Sequence, residues 1–154
     1  MIERKAIGRR LCRYGYFVNQ TAAAGVSWCS AAPMTAIKPL ALIIEDDAPS
    51  AEALSLILSD WGAMVLHGTN ADSVGRLREH FPALRWIITD FHLGPGPDGV
   101  SVVKGLKESA PSARVLVLSG SFRGRAALAA EAAGFEVVQK PARAETILAW
   151  LERG

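Results

Sequence analysis

The residues with most capacity for chemistry are polar groups placed just after short apolar runs. Glu45, Asp46 and Asp47 follow Leu40 to Ile44, and Asp90 follows Trp86 to Thr89. Ser119 follows Val115 to Leu118, and Lys140, with Pro141 next to it, follows Glu136 to Gln139. Carboxylates converging from separate loops repel one another and are driven towards protonation unless a cation sits among them. A hard divalent ion meets that need. Mg²⁺ prefers oxygen ligands in an octahedron, and it can accept one or two carboxylates while leaving room for a phosphoryl oxygen. Lys140 and Ser119 could then hold the other phosphoryl oxygens while an aspartate attacks as nucleophile to form an acyl phosphate. The residue types together predict phosphoryl transfer.

These groups can meet only if the apolar runs are parallel strands of one sheet, because ligand crevices in such sheets open at the carboxyl ends of the strands. The pattern agrees. From Pro39 onward, runs of branched aliphatic residues (Leu40 to Ile44, Met64 to His67, Trp86 to Thr89, Val115 to Leu118, Glu136 to Gln139) alternate with segments of helical period. Several runs are apolar at consecutive positions, as strands covered on both faces require. Leu54, Ile57, Leu58 and Trp61 fall at i, i+3, i+4 and i+7, and Ala144, Ile147, Leu148 and Leu151 repeat that spacing, so each segment is predicted to be a helix with one buried stripe. Val74, Leu77 and Phe81 predict a second helix, Val103, Leu106 and Ala110 a third, and the alanine-rich stretch from Arg125 to Ala133 a fourth. Gly62, Gly134, Pro82 and Pro111 stand where helices should stop. The fold class expected is α/β, a (βα)5 doubly wound parallel sheet of five strands.

Glu45-Asp46 after the first strand, Asp90 after the third, Ser119 after the fourth and Lys140-Pro141 after the fifth together resemble the signature of response-regulator receiver domains, the CheY-like superfamily. Asp90 follows Asp46 by 44 residues, Ser119 follows Asp90 by 29, and Lys140 follows Ser119 by 21. The resemblance covers residues 39 to 153 and implies a flavodoxin-like strand order of 2-1-3-4-5. It also implies that Asp90 is phospho-acceptor and metal ligand, that Asp46 is a direct ligand of Mg²⁺, and that Glu45 acts directly or through water. The backbone carbonyl of His92 would complete the protein's share of the metal shell. Ser119 would hydrogen-bond the phosphoryl group, Lys140 would pair with it, and the Lys140-Pro141 bond would be cis. The implied partners are a histidine kinase or histidine phosphotransfer protein upstream and an effector protein downstream. The expected function is a single-domain response regulator in the cytoplasm that catalyses only its own phosphoryl transfer and dephosphorylation.

Two positions depart from the family's usual pattern. The segment from Phe91 to Gly99 is one residue longer than usual, which leaves the shape of the loop beside Asp90 open. Three residues before Lys140, where the family usually carries Tyr or Phe, stands Val137. Phe135 is out of register with that position by two. Without a ring to turn inward, any switch is expected to rely on the loop after Ser119 and on the fourth helix.

Other roles are available for single residues. Asp47, just before Ala48-Pro49, is well placed to cap the first helix. Ser119 within Ser-Gly-Ser could serve a turn. Lys140 without the acids would be a solvated cation. His92 has no second His or Cys near it in sequence, so a zinc site is disfavoured. Trp61 and Trp86 are expected to pack.

Composition limits the remaining classes. The chain has 154 residues, 50% of them hydrophobic and 21% charged, which suits one globular domain. Its net charge of +2 is uneven. Residues 1 to 33 hold five cations (Arg4, Lys5, Arg9, Arg10, Arg13) and one acid, Glu3, whereas the rest holds twelve cations against fourteen acids, a net of −2. The domain therefore lacks the basic surface that nucleic-acid binding needs, and no apolar run is long enough for a membrane span. Residues 1–36 are assigned to a basic leader, a disordered tail or a start site placed too early with Met34 as the true initiator, and residues 37–154 to the domain. Arg13, Asn19 and Gln20 break what an export signal would keep apolar. Both thiols, Cys12 and Cys29, lie in the leader, so the domain needs no disulfide. Two alternatives compete with this reading: a receiver-like module that binds partners without phosphorylation, for which Val137 speaks, and a haloacid-dehalogenase-like phosphohydrolase. The second lacks the aspartate expected two residues after the nucleophile, where His92 stands.

Overall fold

Five strands alternate with helical segments in a computed structural model that describes residues 37–121 and 124–153. The leader expectations, Met34 and both cysteines lie outside the described residues. The strands are β1 (Leu40–Ile44), β2 (Met64–Gly68), β3 (Leu84–Asp90), β4 (Arg114–Ser119) and β5 (Glu136–Gln139). The helices are α1 (Ala48–Trp61), α2 (Ala71–Gly75), α3 (Gly99–Lys107), α4 (Arg125–Ala132) and α5 (Ala144–Glu152), with a 3-10 turn at Arg78–Ala83. All strands are parallel in the order β2-β1-β3-β4-β5, the (βα)5 arrangement expected.

Alternation along the central strands divides the core into two layers. Leu42, Ile44, Ile87, Val115 and Val117 pack with Val103, Leu106 and Ala130 of α3 and α4. Ala41, Ile43, Trp86, Ile88, Leu116 and Leu118 face Leu58, Ile147 and Trp150 of α1 and α5. Each fully buried aliphatic side chain adds roughly 1.5–3 kcal/mol. A sheet covered on both sides explains why these strands read as continuous apolar runs.

Asp47 caps α1, its Oδ2 accepting from the Ser50 amide at 3.0 Å, and Gly62 ends the helix with φ of 107°. The second helix is shorter than its apolar spacing suggests. Asn70 and Ser73 form a capping box at its start, yet α2 stops at Gly75 and the chain continues as a 3-10 turn containing Pro82. Proline has no amide to donate and its ring collides with the carbonyl four residues back, while glycine is a poor helix former. Val74 and Phe81 nevertheless reach the same core, with Leu77 packed against it. The apolar period was correct and the continuous helix was not.

Strand register sets the functional edge. Ile44 lies beside Thr89, Asp90 beside Leu118, and Ser119 beside Gln139. The residues immediately after β1 and β5 therefore emerge next to the ends of β3 and β4.

Candidate functional site

Lys140 binds two strand ends at once. Its Nζ donates to Glu45 Oε2 at 2.9 Å and to Asp90 Oδ2 at 2.8 Å. Its own amide donates to Ser119 O at 2.8 Å, extending the β4 to β5 ladder by one residue and aiming the side chain across the sheet's edge. The Lys140-Pro141 bond is cis. Glu45 is 1% exposed and Asp90 9%, whereas Asp46 faces solvent. Carboxylate oxygens of Glu45, Asp46 and Asp90 lie within 4.8 Å of one another.

Burial pushes the Glu45 carboxyl above its ordinary pKa, and the neighbouring Asp90 adds to that. The hydrogen bond and charge of Lys140 pull the other way without cancelling it, as does the Asp47 amide. For Lys140, burial lowers the pKa, but its bonds to Asp90 and Glu45 outweigh burial and hold the ammonium above the usual lysine range. One ammonium stands among three carboxyl groups and can balance only one negative charge. The deficit, the all-oxygen donor set and the proximity of the three acids suit a hard divalent cation. The loop after β3 also crowds Asp46 with backbone alone: a Cβ built on Gly94, where φ is +68°, would lie 3.2 Å from Asp46 Oδ2. The residues present fit a metal such as Mg²⁺.

Ser119 is buried at the end of β4. Its hydroxyl donates to Ser121 O at 3.1 Å and accepts from Ser121 N–H at 3.2 Å, so here it serves the turn. His92 lies in the exposed part of the loop after Asp90, with its ring edge-on to Phe91 at 5.0 Å. Its imidazole is not among the clustered acids. Together with Ser119, Gly96 and Arg125 it lines a cavity of about 520 Å³ between that loop and the start of α4. Val137 is half-buried against the layer formed by α3 and α4, with Phe135 packed nearby.

Sequence reasoning missed the contacts by which three residues support the site. Thr89 Oγ1 donates to the Asp90 carbonyl at 2.9 Å. A Cβ on Gly99 would collide with that same carbonyl oxygen, so only glycine fits where α3 begins. The Gly99 amide closes the loop by donating to Phe91 O at 3.0 Å, and Asp98 caps α3 through the Ser101 amide at 2.8 Å. His67 is the third, its Nε2–H donating to the Glu45 carbonyl at 2.8 Å. Asp98 is a readable cap signal and Gly99 is the glycine expected to open the third helix, but nothing local marks Thr89, His67 or the approach of Gly99 to the Asp90 carbonyl.

Known structures share this architecture. No protein-family model matches the chain. A response regulator protein from Burkholderia pseudomallei, solved with a phosphorylated aspartic acid, calcium ion and citrate, is 32% identical, with a TM-score of 0.65 over 73% of this chain and 65% of its own. A response regulator receiver protein from Pseudomonas putida, 22% identical, gives a TM-score of 0.68 over 77% of this chain and 99% of its own. By sequence, protein-glutamate methylesterase/protein-glutamine glutaminase 5 of Myxococcus xanthus is 30% identical over 111 residues, 70% of this chain and 32% of that protein. The chain thus spans about a third of the length of that curated relative. Fold and strand-end residues together define a doubly wound α/β domain with an acidic cluster at the carboxyl ends of its strands. The described residues share the fold of response-regulator receiver domains of the CheY-like superfamily.

Proposed function

We propose that this receiver domain accepts a phosphoryl group on Asp90 from the phosphohistidine of a kinase or phosphotransfer protein and signals through a partner protein. The observation that carries the reading is the Lys140 ammonium held between Glu45 and Asp90, with Asp46 in reach of both. Support also comes from the Burkholderia response regulator, whose structure contains a phosphorylated aspartic acid.

In this reading an Asp90 carboxylate oxygen attacks phosphorus, a P–O bond forms, and the P–N bond to the donor imidazole breaks with its electron pair leaving on nitrogen. Lys140 moves its charge from the free carboxylate to the phosphoryl oxygens, which carry about −1.5 to −2 in place of the carboxylate's single negative charge. Ser119 exchanges its bond to Ser121 O for one to a phosphoryl oxygen and so couples the site to the loop after β4. Asp46, Asp90, the His92 carbonyl and Glu45, directly or through water, would hold Mg²⁺, which would supply positive charge to offset the carboxylates and the phosphoryl group. The domain turns over no separate substrate and catalyses only its own phosphorylation and dephosphorylation. Among the described residues no helix is long and apolar enough to cross a membrane.

The test is to incubate the chain with a small phosphoramidate and Mg²⁺ and follow its intact mass. One phosphoryl group should add to the native chain and none to Asp90→Ala. Labelling that persists in the variant moves the acceptor elsewhere, and no labelling of either protein favours a module that works without phosphate.

A further inference from the structure

The chain leaving β1 needs a hydrogen-bond donor that the sheet does not supply. The Glu45 amide continues the parallel ladder by donating to Gly68 O at 3.1 Å. With Ile44 beside Gly68, the next bond of a regular ladder would run from the Asn70 amide to the Glu45 carbonyl. The Asn70 amide is diverted: it donates to Ser73 Oγ at 3.0 Å as part of the capping box of α2. Glu45 is almost wholly buried, and a buried carbonyl left without a donor is costly. The His67 ring, at the end of the edge strand β2, fills the gap with Nε2–H 2.8 Å from that oxygen.

We propose that His67 is a positioning residue for the cation site. The Glu45 carbonyl and the Asp46 amide belong to one planar peptide unit. Anchoring the carbonyl to β2 therefore sets the direction in which Asp46 leaves the sheet. The Glu45 carboxylate is held by Lys140 and by the Asp47 amide at 3.3 Å. Asp46 is exposed, so its placement beside Asp90 rests on the backbone that carries it. His67 is itself exposed, with no part in the buried core, so its substitution leaves the packing intact.

This inference rests on the Mg²⁺ site proposed above, and the test separates the two. Full-length native protein, His67→Gln and His67→Met are compared. Glutamine offers an N–H at similar reach, whereas methionine has similar length and no donor. Two quantities are read: the position of the Asp46 amide resonance in metal-free protein, and the Mg²⁺ dissociation constant from titration of the same resonance. His67→Met should shift the metal-free Asp46 resonance and weaken Mg²⁺ binding about fivefold, as loss of one net hydrogen bond would. His67→Gln should return both to within about twofold of native. Native-like Mg²⁺ binding by His67→Met, or equal losses in both variants, overturns the role of the imidazole donor. Absence of Mg²⁺ binding in all three proteins overturns the metal site and this role with it.

Discussion

Lys140 sets the charge balance around Asp90. With its ammonium removed, Glu45 and Asp90 would face each other as buried acids with no counter-charge inside the protein. Lys140→Met should therefore destabilise the metal-free protein by about 1–3 kcal/mol, below the figure for a fully buried pair because the lysine keeps some contact with water. Millimolar Mg²⁺ should recover much of that loss, since an ion that binds only the folded state stabilises it. Urea unfolding with and without Mg²⁺ measures both effects, and a variant as stable as native without the ion would contradict the counter-charge role. Phosphoryl acceptance should fall at least about tenfold, because the developing charge loses a preorganised cation. The identity of this residue was plain from its place after β5. Its double attachment was not, since Glu45 lies 95 residues away in sequence.

At the scale of elements, the start of α3 and its middle make opposite demands on glycine. Gly99 meets the Asp90 carbonyl, and an added methyl group would push the helix off the acceptor strand. Gly99→Ala should cost about 1–3 kcal/mol or more through overpacking and should depress phosphorylation along with stability. Gly105, exposed in the same helix with nothing within 4 Å of a built Cβ, should respond the other way. Gly105→Ala should add about 0.5–1 kcal/mol by restricting the unfolded chain and favouring helix. Thermal unfolding of the pair tests this contrast, and equal effects would refute it. Helix content read from apolar spacing succeeded for α1 and α5, where Asp47 and Gly62 also mark the ends of α1. It failed across Gly75 and Pro82, because a 3-10 turn can deliver Phe81 to the core as well as an α-helix can.

Across the whole molecule, one surface acid ties the β5 edge to β4 and to the last helix. Glu136 Oε1 accepts from Arg114 Nη2 at 2.8 Å and from Trp150 Nε1 at 2.7 Å, and Oε2 accepts from Arg153 Nη2 at 2.9 Å. Arg114 also lies 4.6 Å over the Trp150 ring. Burial pushes the Glu136 carboxyl up, but hydrogen bonds from Arg114, Trp150 and Arg153 outweigh burial and hold its pKa below the ordinary 4.5. A carboxyl lowered on folding contributes stability that is complete above its unfolded pKa and is lost as pH falls through the folded value. Glu136→Gln should thus be less stable than native near neutral pH, with the gap closing as pH falls below the ordinary 4.5 and through the lowered folded value. Urea midpoints across that range report it, and a gap independent of pH would show that charge plays no part. The contribution should be small and salt-sensitive, because Glu136 is half exposed.

The order of strands and helices, the cap at Asp47 and the set Glu45, Asp46, Asp90, Ser119 and Lys140 followed from sequence alone. Burial on both faces imprints apolar runs on central strands, and chemical groups must stand where those runs end. Tertiary structure alone decided that Lys140 bridges two acids, that Gly99 is pressed against the Asp90 carbonyl, that His67 supplies a donor the capping box had diverted, and that α2 is cut short. Each of these depends on strand register or close packing between segments far apart in the chain, and local periodicity carries no record of such contacts.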